Sequence, residues 1–130
     1  MMFDDGEGGV IVADGRSGVR LRILGPAVDS WRPMHVDVRA GAFSGGVRDE
    51  THVNLQRFAD ELAALYASLS GEASFGGEEK FNLNLVGDGR GGVTAFVDIN
   101  DFDSTVRLKF EIRFDQTYLP AIIEAARREA

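Results

Sequence analysis

The sequence contains no cysteine, only two lysines (Lys80 and Lys109) and no long apolar run. Without cysteine there are no disulfides and no thiolate metal sites, and a reducing compartment suits the chain. No window approaches the roughly 18 uninterrupted apolar residues of a membrane span. The opening Met-Met-Phe-Asp-Asp-Gly-Glu puts carboxylates where a secretory signal needs positive charge. A cytoplasmic protein that avoids membranes is expected. Positive charge is in deficit too: 14 Lys and Arg stand against 21 Asp and Glu, a net charge of −7. Proteins that neutralise phosphates gather Lys and Arg, so nucleic-acid and anionic-membrane binding are disfavoured. A basic protein partner is favoured over them, although plain solubility would account for the same charge.

What is present is globular. Hydrophobic residues make up 44% and charged residues 27% of 130 residues, with nine phenylalanines as bulky core material. That length fits one domain over residues 1–130 and leaves no room for two.

Alternation of apolar and polar residues marks half-buried strands. Val19, Leu21 and Ile23 alternate with Arg20 and Arg22 before Gly25-Pro26 ends the run, and Met34, Val36 and Val38 alternate with His35, Asp37 and Arg39. Gly41 to Gly46 reads as a flexible break. Period two then gives way to a helical stripe: Leu55, Phe58, Ala59, Leu62, Leu65, Tyr66 and Leu69 share one face, with Asn54 as N-cap and Gly71 as the terminating glycine.

Strands resume at Phe81, Leu83 and Leu85 and at Val93, Ala95, Val97 and Ile99, the latter with Thr94, Phe96 and Asp98 opposite. The longest alternation follows, Val106, Leu108, Phe110, Ile112 and Phe114 against Arg107, Lys109, Glu111 and Arg113. It predicts a central strand with all five apolar residues, Val106 included, facing the core. Leu119, Ile122, Ile123 and Ala126 write a closing helix that Asp115 or Thr117 would cap, with Pro120 in its first turn. The expected fold is α+β: an antiparallel sheet of about five to six strands, one face covered by two amphipathic helices.

Chemical motifs mostly fail on inspection. Gly87-x-Gly89-x-x-Gly92 has the dinucleotide-binding spacing, but that mechanism needs a helix N-terminus next, and Val93–Val97 is a strand. A hairpin turn needing positive φ explains these glycines better. Asp98, Asn100, Asp101 and Asp103 lack the EF-hand register, because position 6 from Asp98 is Asp103 and not glycine. His35 and His52 form no ligand-spaced pair, and no serine sits in a nucleophile elbow. Asp60 and Glu61 are neighbours on a helix, pointing about 100° apart, and cannot work as a catalytic pair. No catalytic residue, cofactor site or metal site is assigned.

Four segments carry a resemblance: Asp29-Ser30-Trp31 before a strand, Phe58-Ala59-Asp60-Glu61-Leu62, Leu69-Ser70-Gly71-Glu72-Ala73-Ser74-Phe75, and Phe110-Glu111-Ile112-Arg113-Phe114-Asp115-Gln116-Thr117-Tyr118-Leu119. In their order the chain resembles the small bacterial immunity proteins of the WapI type and related proteins of unassigned function. The resemblance implies a non-enzymatic protein that neutralises a toxin domain by binding it, and it transfers no catalytic residue. The acidic groups available to meet a basic toxin are Asp60 and Glu61 on the helix and Asp98, Asp101 and Asp103 in the turn. Two other classes compete. Arg107, Lys109 and Arg113 could hold an anion on the polar sheet face, in a small-ligand-binding protein or an enzyme, or that face could be the interface of a structural homo-oligomer.

Overall fold

The strongly alternating segments pair with their sequence neighbours, and the chain builds two antiparallel meanders separated by a helix. A computed structural model describes residues 3, 8–26, 31–51, 54–76, 80–101 and 105–130. The first meander comprises β1 (Val10–Ala13), β2 (Ser17–Ile23), β3 (Arg32–Ala40) and β4 (Phe43–Thr51), in spatial order β1-β2-β3-β4. Helix α1 (Leu55–Ser68) leads into the second meander of β5 (Ser70–Gly76), β6 (Phe81–Asp88), β7 (Gly92–Asn100) and β8 (Arg107–Asp115). A 3-10 turn (Gln116–Tyr118) then opens α2 (Leu119–Glu129).

The α+β class holds, but the single sheet of five to six strands is corrected to two sheets of four. Three strands lack the alternation that marks the others. β1 is only four residues long, all of them apolar. β5 is the small, polar Ser-Gly-Glu-Ala-Ser-Phe-Gly. β4 runs through the glycines read as a flexible break, because β3 supplies a full ladder of partners from Ala40↔Phe43 to Arg32↔Thr51. Only Gly41 and Ala42 turn the chain there.

Helix α1 begins where expected, with the Asn54 side chain accepting a hydrogen bond from the Arg57 N–H. Its last residue, Ser68, lies three residues before Gly71. Leu69 takes the left-handed conformation at φ 61°, and its N–H bonds to the Leu65 carbonyl. Gly71 also has positive φ but already lies in β5. The terminus of α2 is tied down from afar, as Arg32 donates to the carbonyls of Gly25 and Glu129.

Both sheets turn one face toward a common apolar cluster. The first contributes Val10, Val12, Val19, Leu21, Met34, Val36 and Val38, and the second Phe75, Phe81, Leu83, Leu85, Val97 and Ile112, among others. Helix α1 adds Leu55, Phe58, Leu62 and Leu65, and α2 adds Leu119, Ile122 and Ile123. Helix α1 packs on both α2 and β5, and the Phe58 and Phe75 rings lie 5.5 Å apart. The longest alternation, β8, is an edge strand and not a central one, since nothing follows it in the sheet. Phe110 and Phe114 are accordingly only half-buried, and Val106 precedes the strand with 65% of its surface exposed. Among the described residues, no helix is long and apolar enough to cross a membrane.

Candidate protein-binding face

The second sheet has an outer face that neither helix covers, and register alone determines who meets whom on it. Residues opposite one another on an antiparallel pair share a face. Ser74, Asn84, Phe96 and Glu111 therefore form one row across β5, β6, β7 and β8. Asn82, Asp98 and Lys109 form the next row, and Asn100 and Arg107 a third.

Phe96 stands at the centre of this face with 44% of its surface exposed. Around it lies a shallow depression bounded by Asn82, Asn84, Asp98, Lys109 and Glu111. A large ring in water among amides and charges leaves apolar area unburied, and a partner surface would remove it from water.

The charges flanking the ring are mostly paired. Arg107 grips Asp98 with Nε at 2.8 Å and a terminal nitrogen at 2.5 Å. This hydrogen-bonded contact holds the Asp98 carboxyl below its ordinary range and raises the Arg107 guanidinium. Arg113 donates to Glu111 at 2.9 Å on the same strand. Of the three cations considered as an anion site, Arg107 and Arg113 thus already carry carboxylates. Lys109 lies across from Asp98.

The acidic groups fall into separate places. Asp98 is on this face, and Asp101 sits in the β7–β8 turn, accepting from the Val106 N–H and the Thr105 hydroxyl. Asp103 lies outside the described residues, as does His52. Glu61 is half-buried at the β5 edge, where it accepts from the Ser74 N–H at 2.9 Å and from Arg57 at 3.2 Å. A groove from Arg57 and Glu61 to Asn82 and Asn84 joins it to the outer face. Asp60 points elsewhere: it accepts from Gln56 and lies 4.0 Å from Arg127 of α2. Among the described residues no three of His, Asp and Glu converge as metal ligands.

The Gly87–Gly92 segment is the β6–β7 hairpin turn, with Gly89 at φ 82° and Gly91 at φ 102°. The Asp88 side chain closes it by accepting from the N–H groups of Arg90 and Gly92.

Residues 10–130 match the model of the immunity protein WapI-like family. The chain belongs to this family. No curated protein and no solved structure gives a match. The WapI-like match begins with the first residue of β1 and runs through both sheets and both helices. It thus includes the whole outer face of the second sheet.

A second polar cluster went unread in the sequence. On the outer side of the first sheet, Asp37 takes Arg20 at 2.9 Å, Arg22 at 3.3 Å and the His35 Nδ1 at 3.3 Å. Burial alone would raise the Asp37 carboxyl, but the Arg20 hydrogen bond and the charges of His35, Arg20 and Arg22 outweigh it and lower it. The alternation placed all four residues on one side. Only the β2–β3 register, with Arg20↔Asp37 and Arg22↔His35, reveals that they meet.

Proposed function

We propose that this WapI-like protein neutralises a basic toxin domain in the cytoplasm by binding it, without catalysing a reaction. The docking surface is the outer face of the second sheet. Membership of an immunity family supports the toxin as partner. The observation that carries the location is Phe96, an exposed ring centred among Asn82, Asn84 and the Asp98–Arg107 and Glu111–Arg113 pairs. Buried aromatic anchors dominate binding energy, while paired charges at the rim exclude water and set orientation.

The net charge of −7 supports a basic partner, because opposite potentials steer encounter. Within this reading Asp60, Asp101 and Asp103 contribute to long-range attraction, while Asp98 and Glu61 act through the pairs they already hold. Salt slows association, since charges beyond a Debye length of about 10 Å at 0.1 M are screened. Co-expression with the toxin encoded beside this gene tests the proposal, with growth rescue as the expected outcome. Failure of the purified proteins to form a complex removes it.

A further inference from the structure

We propose that the open edge of β4 is a docking site for an extended acidic segment of a partner protein, which adds to the first sheet as a fifth strand.

On each edge of the second sheet a carboxylate takes one outward N–H. Glu61 takes the outward Ser74 N–H of β5, and Asp14 takes the Arg113 N–H of β8 at 3.3 Å. Blocking unpaired edge groups in this way keeps other strands off. Strand β4 differs. Its one described edge bond is Lys80 donating to the Arg48 carbonyl at 2.9 Å. That bond establishes which residues face outward, because alternate residues of an antiparallel strand turn their N–H and C=O groups to the same side. Ser44 and Gly46 therefore present theirs outward, and neither bonds to any other described group. Gly45 and Gly46 put no side chain in the way of an incoming backbone. No lysine or proline guards the stretch from Phe43 to Val47, and Phe43 leaves 68% of its surface exposed at its start.

Charge selects the occupant. Arg48 lies on the outer side of β4, and Arg39 lies one strand further in, with Ser44 between it and the edge. Both guanidiniums are exposed and form no ion pair among the described residues. Behind them Arg20 and Arg22 share Asp37. The net-acidic chain thus has a basic patch beside the open edge of β4. An added strand with carboxylates at alternate positions would place them along Arg48 and Arg39 while its main chain pairs with Ser44 and Gly46. A second copy of this chain fits poorly, because β4 pairing with β4 would set two basic faces side by side.

The test titrates the isotope-labelled full chain with a synthetic peptide alternating glutamate and threonine, and with its lysine–threonine counterpart. Shift changes and slowed amide exchange at Ser44 and Gly46 are expected with the acidic peptide only, with β5 and β8 unmoved. The double variant Arg39→Ala, Arg48→Ala should bind about tenfold more weakly, the worth of two exposed charge pairs. Ser44→Pro should abolish binding, because it removes an outward N–H and leaves the bonds to β3 intact. The exchange measurement on the unaltered chain decides the matter if that variant misfolds. Equal binding of the lysine peptide, shifts confined to other elements, preference for a single-stranded oligonucleotide, or β4 shifts that track protein concentration without peptide would each overturn the proposal.

Discussion

Asp14 of the β1–β2 turn accepts a hydrogen bond from the backbone N–H of Arg113, 99 residues away on the edge of the other sheet. Its second oxygen accepts from the N–H groups of Arg16 and Ser17 at 2.9 and 2.8 Å. One carboxylate thus closes a hairpin and joins the two meanders. Asp14→Ala should lower stability by about 1–2 kcal/mol, and Asp14→Asn by less, since the amide oxygen can still accept. Urea melts of both variants measure the difference, and equal losses would remove the turn-closing role.

Acid should destabilise the fold through a small set of aspartates. Burial would raise the Asp14 carboxyl, but N–H donors from Ser17, Arg16 and Arg113 bring it below its ordinary value. Asp37 and Asp98 are lowered as well, by their arginines. A carboxyl lowered in the folded state adds stability that is complete above the unfolded value, about 3.9, and is lost as pH falls through the folded value. Melting temperature should therefore be level above about pH 5 and drop below about pH 4. In Asp37→Asn that acid decline should be shallower, and an unchanged slope would exclude Asp37 as a contributor.

Core depth ranks three substitutions. Phe58 of α1 is wholly buried against Phe75 of β5, so Phe58→Ala should cost about 3–5 kcal/mol. Phe110→Ala on the half-buried edge strand should cost about 2, and Lys109→Ala on the outer face about 0.5 or less. Denaturant midpoints in any other order would refute the register of β8.

Two glycines of one hairpin should respond differently for different reasons. A Cβ on Gly87 would lie 2.5 Å from the Leu69 carbonyl oxygen, a clash with backbone that cannot turn aside. A Cβ on Gly89 meets nothing within 4 Å, and only its φ of 82° opposes it. Gly89→Ala should cost about 1 kcal/mol and Gly87→Ala clearly more. Nucleotides should give no heat with either variant or with the unaltered protein in calorimetry.

Phe96→Ala should leave the melting temperature within about a degree, because the ring is not part of the core. Toxin affinity should fall at least about 30-fold, the loss of a central aromatic anchor. Asp98→Ala alone should weaken the complex less, as it frees an arginine at the rim. Unchanged affinity in Phe96→Ala would move the interface elsewhere.

Much of this fold is legible in the sequence. Alternation located β2, β3, β6, β7 and β8, the 3.6-residue stripe located both helices, and Asn54 marked a helix start. The strands that escaped are those whose pairing comes from neighbours and not from their own pattern: β1, the glycine-bearing β4 and the small-residue β5. Division into two sheets also escaped, because it depends on α1 intervening between β4 and β5 and on each meander packing separately. At the candidate face, the sequence did put Phe96 on the polar side of β7. It could not show that Asp98 and Arg107 would grip one another, because that follows from which residues end up in adjacent rows once the β7–β8 turn is made.

The order of strands in space is the order in sequence for both sheets. Each ladder can therefore zip from a local turn, and the entropy of closing long loops is met only where the meanders and α2 come together. Such a topology folds quickly for a β-rich protein. During synthesis the first meander is complete by Thr51, so four strands can assemble while most of the second half is still being made. The late step is then the docking of α2 and β8 against β1. Contacts such as Asp14 to Arg113 should form after the transition state, and their loss should speed unfolding far more than it slows folding.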